Sequence, residues 1–203
     1  DLRMSRGLGD VYKRQVVELV NNREREYIFA DLPDIGYSTD IDTVMASSYQ
    51  VKKQLQQIVK IEQPITNTLL YKRILRIWNL TRVTTRLQVF IDNLLEDAYK
   101  DPLSGDTIIY WEDEEKAKDC DFYRINSKRD ILDIPILEVM SAARYAIEQQ
   151  ISMPTEDLKR LTSQLLGFSR KGNNLDMVTE QTIQLLIDQG IFSHANGMVS
   201  MNN

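Results

Sequence analysis

The sequence predicts a mainly α-helical fold with short β-hairpins (α+β), built from two winged-helix-like helix-turn-helix units in tandem. Three observations predict it. Apolar residues recur at helical spacing along Ile65–Tyr99, the same pattern returns 88 positions later along Met153–Ile187, and hairpin signals follow both stretches. Few residues are identical between the two stretches, so what repeats is the spacing of the apolar positions. We therefore expect two copies of one folding unit.

The first stretch contains two helical patterns separated by a polar turn, residues 79–84. Residues three and four positions apart lie on one side of a helix, so each pattern forms one apolar face. The first face consists of Leu70, Ile74, Ile77 and Trp78. The second consists of Leu87, Phe90, Ile91, Leu94, Leu95 and Ala98. Two such faces can pack on each other, which is typical of a helix-turn-helix.

The second stretch repeats this outline and, like the first, is followed by a hairpin signal. Its apolar faces consist of Leu158, Leu161, Leu165 and Leu166, and of Leu175, Val178, Ile183 and Leu186. After the first copy, Thr107–Trp111 is β-branched and aromatic and follows turn residues that include Gly105 and Asp106. After the second copy, Asn196-Gly197 is a strong two-residue hairpin signal. A hairpin in this position is what a winged-helix unit adds.

A further helix is expected ahead of each helix-turn-helix. One runs from about Asp42 to Glu62 and ends before Pro64, because proline disfavours helix at the residue before it. The other begins at Pro135, a residue that the first helical turn tolerates, and ends around Gln149. The order helix, helix, turn, helix, hairpin is thus expected twice.

The remaining segments are shorter and more mixed. Tyr27–Phe29 and Phe122–Ile125 are strand-like runs, and the second is a candidate extension of the first hairpin. The acidic segment 112–121 is expected to be solvated. We place the first unit at 42–125, the second unit at 126–203, and a linker or the end of an upstream region at 16–41. Residues 1–15 resemble translated sequencing-adapter read-through and are treated as a non-native tail.

Composition excludes several classes of site and function. The chain has 203 residues and a formal net charge of −5, so any contact with nucleic acid must rest on local basic surface. Cys120 is the single cysteine and His194 the single histidine, which leaves no disulfide framework and no Cys/His metal site within one chain. The sequence has no apolar run near 18 residues, so no membrane span is expected. A reducing, cytoplasmic setting is the default expectation.

The sequence also lacks the patterns of catalytic chemistry. It has no Ser–His–Asp order, no glycine-rich phosphate cradle and no paired carboxylates of the kind that acid–base catalysis needs. His194 beside a hairpin turn is expected at the surface, and the acids around Cys120 disfavour its thiolate. We expect no catalytic residue, no metal, no cofactor and no small-molecule ligand.

Local positive charge is the sharpest functional signal. No acidic residue occurs from Gln63 to Ile91 or from Leu158 to Leu175. The candidate nucleic-acid-binding residues are Lys72, Arg73, Arg76, Arg82, Arg86, Arg170 and Lys171. Phosphate contact needs such clusters, and a helix N-terminus following a turn also favours phosphate. Acids on both second helices, among them Asp92 and Asp176, argue against a helix lying deep in a groove and reading bases.

Several motifs resemble a bacterial domain of unknown function (family 3320) that closes large DNA-helicase-related proteins of superfamily I. They are Gln63-Pro64-Ile65, Trp78-Asn79-Leu80-Thr81-Arg82, Phe122-Tyr123-Arg124-Ile125, Arg129–Pro135 and the stretch 165–174. In such proteins a helicase-type ATPase core and a restriction-endonuclease-like domain precede this domain. The resemblance implies that those two domains lie upstream of this chain. Gln63, where relatives often have glycine, and Asn173-Asn174, where an arginine is common, depart from the pattern.

Two functions of different classes follow. The first is a non-catalytic accessory module of a helicase/nuclease-type protein that contacts nucleic-acid phosphates, with DNA as its partner, without sequence specificity. The alternative is a protein-interaction or scaffolding module that packs on the parent helicase or on a partner. Phosphate contact requires the candidate cations to share one exposed face, whereas scaffolding tolerates their being scattered or covered.

Overall fold

The computed structural model describes residues 21–102, 107–125 and 127–202, and this part of the chain is mainly helical with short strands, as predicted. The helices are α1 (Ile41–Ala46), α2 (Ser48–Glu62), α3 (Asn67–Ile77), α4 (Thr85–Leu94), α5 (Glu114–Lys118), α6 (Ile136–Glu148), α7 (Thr155–Leu165) and α8 (Asn173–Asp188). The strands are β1 (Glu24–Glu26), β2 (Ile65–Thr66), β3 (Tyr99–Lys100), β4 (Ile109–Trp111), β5 (Tyr123–Ile125), β6 (Met153–Pro154), β7 (Phe192–Ala195) and β8 (Met198–Met201). One 3₁₀ segment spans Ile131–Asp133.

The same order of elements occurs in both halves of the chain. Helix, strand, helix, helix, strand, strand describes α2-β2-α3-α4-β3-β4 and again α6-β6-α7-α8-β7-β8. Each set closes a three-stranded antiparallel sheet in which the last strand lies in the middle, β2-β4-β3 and β6-β8-β7. Ile65 pairs with Tyr110, and Met153, its counterpart 88 positions later, pairs with Val199. The apolar pattern therefore corresponds to a repeat of topology.

Each half has its own apolar core, built from the predicted faces. In the first half the side chains of α2, α3 and α4 pack around Leu55, Leu70 and Ile91, none of which is exposed. Trp78 is buried beside them and its indole N–H donates to the side-chain oxygen of Gln54 at 2.9 Å. In the second half α6, α7 and α8 pack around residues such as Ile147 and Leu158.

The turns between the helices have identifiable local causes. Thr84 caps α4, since its side-chain oxygen accepts from the backbone N–H of Leu87. Asn79 begins the turn between α3 and α4 with a φ of 47°, and Gly167 begins the turn between α7 and α8 with a φ of 89°. Asn196 and Gly197 both have positive φ between β7 and β8, which confirms the predicted two-residue hairpin.

Several details differ from the sequence-based predictions. The helix expected from Asp42 is two helices, because Ser47 ends α1 and begins α2, with its hydroxyl donating to the carbonyl of Thr43. The strand near Tyr27–Phe29 lies instead at Glu24–Glu26. β5 forms as expected, yet it pairs in parallel with β1 and does not extend the first hairpin. The acidic segment contains the short helix α5.

Three expectations fall outside the described residues. They concern the tail 1–15, the run Val16–Val20, and the turn at Gly105 and Asp106. Within the described ranges, no helix combines the length and the apolar character needed to cross a bilayer.

Candidate nucleic-acid interface

The turn between α3 and α4, residues 79–84 (the first turn), exposes an arginine. Arg82 is exposed, and no carboxylate in the described part of the chain forms an ion pair with it. Arg86, in the first helical turn of α4, lies 2.7 Å from Asp42, and both side chains are more than half exposed. Exposed ion pairs of this kind contribute about 0–1 kcal/mol. Both guanidinium groups are therefore accessible to an anion.

The turn between α7 and α8, residues 167–172 (the second turn), exposes two cations. Arg170 and Lys171 are exposed, and neither forms an ion pair with any residue that the structure describes. They line a cavity of about 200 Å³ between the two helices. Gly172 precedes α8 and has no side chain with which to cap it, whereas Thr84 caps α4 at the equivalent place.

The three candidates on α3 have different surroundings. The guanidinium of Arg73 donates to the carboxylate of Glu62, with the Nη2–Oε2 distance at 2.8 Å, and Glu62 is not exposed at all. Lys72 is half exposed and its Nζ lies 2.6 Å from Oδ2 of the buried Asp133. Arg76 is exposed, with its guanidinium 5.3 Å from the ring centre of Phe29. The structure thus brings four of the seven candidates to the two turns and covers Arg73.

Acids on the second helices of both halves have partners within the protein. Asp92 on α4 accepts from the hydroxyl of Tyr71 at 2.7 Å and from that of Tyr110 at 3.4 Å. On α8, the carboxylates of Asp176 and Glu180 lie 2.7 Å and 3.0 Å from the ammonium of Lys159. In the sequence, the acids on both second helices argue against a helix deep in a groove, but periodicity alone does not show which neighbours they meet.

The outward faces of α4 and α8 correspond position by position. The exposed residues on α4 are Thr85, Arg86, Val89 and Asn93, and those at the same offsets on α8 are Asn173, Asn174, Met177 and Gln181. Each of these two sets has an apolar side chain at its centre and contains no acid. On α8, Asp176 and Glu180 are also exposed, on the side of the helix that pairs with Lys159. The two helices therefore share one set of outward positions, while α8 also presents acids to solvent.

A buried ionic cluster lies where the two halves meet. Glu138, at the start of α6, is not exposed, and both of its oxygens accept from the guanidinium groups of Arg124 and Arg129. Arg124 also donates to the carbonyl of Glu62, the last residue of α2, at 2.7 Å and to that of Pro64, which precedes β2, at 2.6 Å. One side chain therefore binds both halves.

Tyr27 connects this cluster to Glu62. Its hydroxyl donates to the carboxylate of Glu62, and its ring lies under the guanidinium groups of Arg124 and Arg129, at 4.8 and 4.3 Å from the ring centre. Burial, with the negative charge of Glu62, raises the pKa of Tyr27 to about 12. We call Tyr27, Glu62, Arg73, Arg124, Arg129 and Glu138 the junction.

The electrostatics of the junction favour the ionised form of the Glu138 carboxyl. Burial alone would raise the pKa of the Glu138 carboxyl, but the charges and hydrogen bonds of Arg124 and Arg129 outweigh it and lower the pKa to about 2. Sequence reasoning missed this cluster. The available signal was an ionic residue inside an apolar run, as at Arg124 in Phe122–Ile125 and Glu138 in α6.

A segment ahead of α1 links the junction to the first turn. The backbone N–H of Ala30 donates to Glu62 at 3.1 Å, and that of Ile35 donates to the carbonyl of Ile77 at 2.9 Å. Further along, the side chain of Asn79 donates to the carbonyl of Tyr37 at 3.3 Å. The conformation of the turn that exposes Arg82 is thus tied to the buried cluster.

Residues 46–89 match a family described as "Protein of unknown function (DUF3320)". No curated protein and no solved structure matches the chain. The matched segment includes α2, β2, α3, the first turn and the start of α4, and so includes two of the motifs on which the resemblance rests, Gln63-Pro64-Ile65 and Trp78–Arg82. The match supports the family resemblance over that segment and assigns no activity.

Proposed function

We propose that this chain is a tandem winged-helix module without catalytic activity, which contacts nucleic-acid phosphates through its two turns without sequence specificity. The repeated order of helix, strand, helix, helix, strand, strand, with the last strand in the middle of the sheet, supports the winged-helix assignment. We place the module as an accessory part of a cytoplasmic helicase/nuclease-type protein. The helicase and restriction-endonuclease-like domains that the family resemblance implies upstream would then be its partners.

The observation that carries the proposal is that each turn exposes at least one cation with no ion-pair partner in the described part of the chain. Arg82, Arg170 and Lys171 are exposed and form no ion pair with a described residue, while Arg73, Arg124 and Arg129 are neutralised by buried carboxylates. An arginine that is already solvated and unpaired can bind a phosphate without first breaking an internal contact. Release of condensed counterions then supplies affinity that does not depend on base sequence.

Duplex binding at two salt concentrations tests the proposal. Fluorescence anisotropy of a labelled random-sequence duplex at about 50 and 200 mM salt measures the affinity of the wild type and of Arg82→Ala/Arg86→Ala. We expect the slope of log affinity against log salt to become shallower by about two in the double variant, since two phosphate contacts are lost. Lys116→Ala/Lys118→Ala on α5 is the matched control, because it also removes two exposed cations.

Wild-type binding that is absent at low salt, or unaffected by both salt and the Arg82/Arg86 substitutions, would refute phosphate contact. A duplex of scrambled sequence should bind equally well. A large preference for one sequence would replace the proposal with specific recognition.

The scaffolding alternative has its own supporting observation. A cavity of about 370 Å³ lies between α2 and the end of α4, with Val59, Leu94, Ala98 and Trp111 among its lining residues. An apolar cleft of this kind suits a side chain of a partner protein. If the wild type binds no duplex, and Leu94→Asp releases the parent protein's upstream domains in a pull-down, scaffolding becomes the better account.

A further inference from the structure

We infer that the two turns contact one double-stranded nucleic acid at the same time, on a surface that crosses the boundary between the two halves. This inference rests on the proposed function and specifies the ligand as a duplex. Three observations carry it: a shared bridge between the halves, a buried connection that fixes their relative position, and the chemistry of the outward helix faces.

The bridge is the 3₁₀ segment Ile131–Asp133. Its Ile131 packs in one cluster with Leu166 and Leu175, which flank the second turn. Its Asp133 binds α3 of the first half, since the ammonium of Lys72 donates to it at 2.6 Å. A 3₁₀ helix rises about 2 Å per residue, so the backbone sites of the two contacts are only a few ångströms apart. The second turn and Lys72 of α3 therefore lie on either side of one short segment.

The junction fixes the two halves relative to each other. Arg124 binds Glu138 of α6 and, with the same guanidinium, the carbonyls of Glu62 and Pro64. Buried, charge-assisted bonds of this kind have directional geometry and are costly to break. The separation between the two turns is consequently set before any ligand binds, and the second contact pays little additional entropy.

The outward faces of α4 and α8 suit a duplex better than a single strand. Binding a single strand relies on aromatic side chains on which successive bases stack. Neither outward face has an aromatic residue, and Trp78 and Trp111 are buried. The accessible rings near the turns are those of Tyr37, whose carbonyl accepts from Asn79, and of Phe29 beside Arg76, while Phe168 in the second turn is half-buried. Among the described residues these rings do not pack on one another, so they do not form a stacking series.

The charges around this surface are consistent with phosphate contact. Arg76, Arg82, Arg170 and Lys171 are exposed and unpaired in the described part of the chain. Exposed carboxylates lie near both turns. Asp42 pairs with Arg86 at the first turn. At the second turn, Glu156 and Asp176 line the cavity with Arg170 and Lys171, and both pair with the ammonium of Lys159. These acids already have a cationic partner, so they offset only part of the positive charge. A rigid duplex can present phosphates to both turns at the same time, so the ligand does not need to be flexible.

Probe length and strandedness test the inference on the full chain. We would measure the Kd of a duplex of about 24 base pairs, a duplex of about 8 base pairs and a single strand of about 24 nucleotides, at about 50 mM salt. The proteins are the wild type, Arg82→Ala/Arg86→Ala, Arg170→Ala/Lys171→Ala and the Lys116→Ala/Lys118→Ala control. Circular dichroism and the unfolding midpoint confirm that each variant is folded.

We expect each turn variant to lose at least about tenfold in affinity for the long duplex, because each removes one of two simultaneous contacts. The short duplex, which offers fewer phosphates, should bind more weakly than the long one, and the single strand at least about tenfold more weakly. Equal affinity for the single strand, or a loss of no more than about twofold in each turn variant, as two independent turns would give, would overturn the inference. If Arg82/Arg86 matter but Arg170/Lys171 do not, phosphate contact at the first turn stands and the two-turn surface falls. If no probe binds, both fall.

Discussion

The junction and the two turns contain the same kind of residue and use it in opposite ways. In the junction, the side chains of Arg124 and Arg129 are 5% and 2% exposed and both bind Glu138. At the turns, Arg82 and Arg170 are exposed and form no ion pair within the described ranges. The comparison shows that the density of basic residues in a sequence does not measure the positive charge that a ligand can meet. Arg73 illustrates it, since it stands among basic neighbours yet belongs to the junction.

The two regions also differ in how substitutions should act. Removing one partner of a buried ion pair leaves an uncompensated charge in a poorly solvated place, at a cost of several kcal/mol. Removing an exposed, unpaired cation changes stability little and changes the surface potential instead. Substitutions at the junction should therefore affect unfolding, and substitutions at the turns should affect binding.

The largest expected effect is at Glu138. Glu138→Ala leaves Arg124 and Arg129 buried without a counter-ion, and we expect the free energy of unfolding to fall by about 3–5 kcal/mol. Urea denaturation followed by circular dichroism measures it. Glu114→Ala, which removes an exposed acid from α5, is the control and should cost less than about 1 kcal/mol. If Glu138→Ala lowers the free energy of unfolding no more than the control does, the junction does not stabilise the fold.

A smaller effect is expected at Arg73, and its neighbour Arg76 supplies a matched comparison. Arg73→Ala leaves the fully buried Glu62 with Tyr27 and the N–H of Ala30 but without its cation, and should lower the free energy of unfolding by about 3 kcal/mol. Arg76→Ala removes an exposed cation from the same helix and should cost less than about 1 kcal/mol. The same urea experiment reports both. Equal losses of unfolding free energy in the two variants would mean that the pairing of Arg73 with the buried Glu62 does not determine the effect.

The smallest of the three stability effects is the response to acid. Because the folded-state pKa of Glu138 is lowered to about 2, its contribution is fully present above the ordinary pKa of a glutamate and is lost as pH falls toward 2. Between pH 5 and pH 3 we expect the wild type to lose about 2 kcal/mol more than Glu138→Gln, which cannot titrate at this position. Denaturation curves at both pH values measure the difference. Parallel losses in the two proteins would contradict an ionised, stabilising Glu138.

Regular structure with a strong period was predictable from the sequence. The apolar stripes of α3, α4, α7 and α8 identified both pairs of helices, and Asn196-Gly197 identified the second hairpin, because these signals depend on local spacing. β2 and β6 were not predicted, because a strand of two residues is too short to show an alternating pattern. The break at Ser47 was missed for a similar reason, because the apolar stripe continues across it.

The junction was not predictable, because its members are distant in the sequence and meet only in the fold. Glu62, Arg124 and Glu138 lie on separate elements, and ionic residues of this kind are usually exposed. The density of basic residues in the sequence made Lys72 and Arg73 candidate phosphate ligands. The structure pairs both of them with buried carboxylates. Arg82 and Arg170 were located by their position in the turns, which local patterns do determine.

Nuclear magnetic resonance of the arginine side chains tests the central comparison most directly. The Nε–Hε signals of all arginines in a ¹⁵N-labelled sample would be followed as an unlabelled duplex is added at low salt. We predict shifts at Arg82, Arg86 and Arg170, and unchanged signals at Arg73, Arg124 and Arg129. Signals at the turns that stay unchanged while those of the junction move would contradict the division between a buried structural set and an exposed binding set.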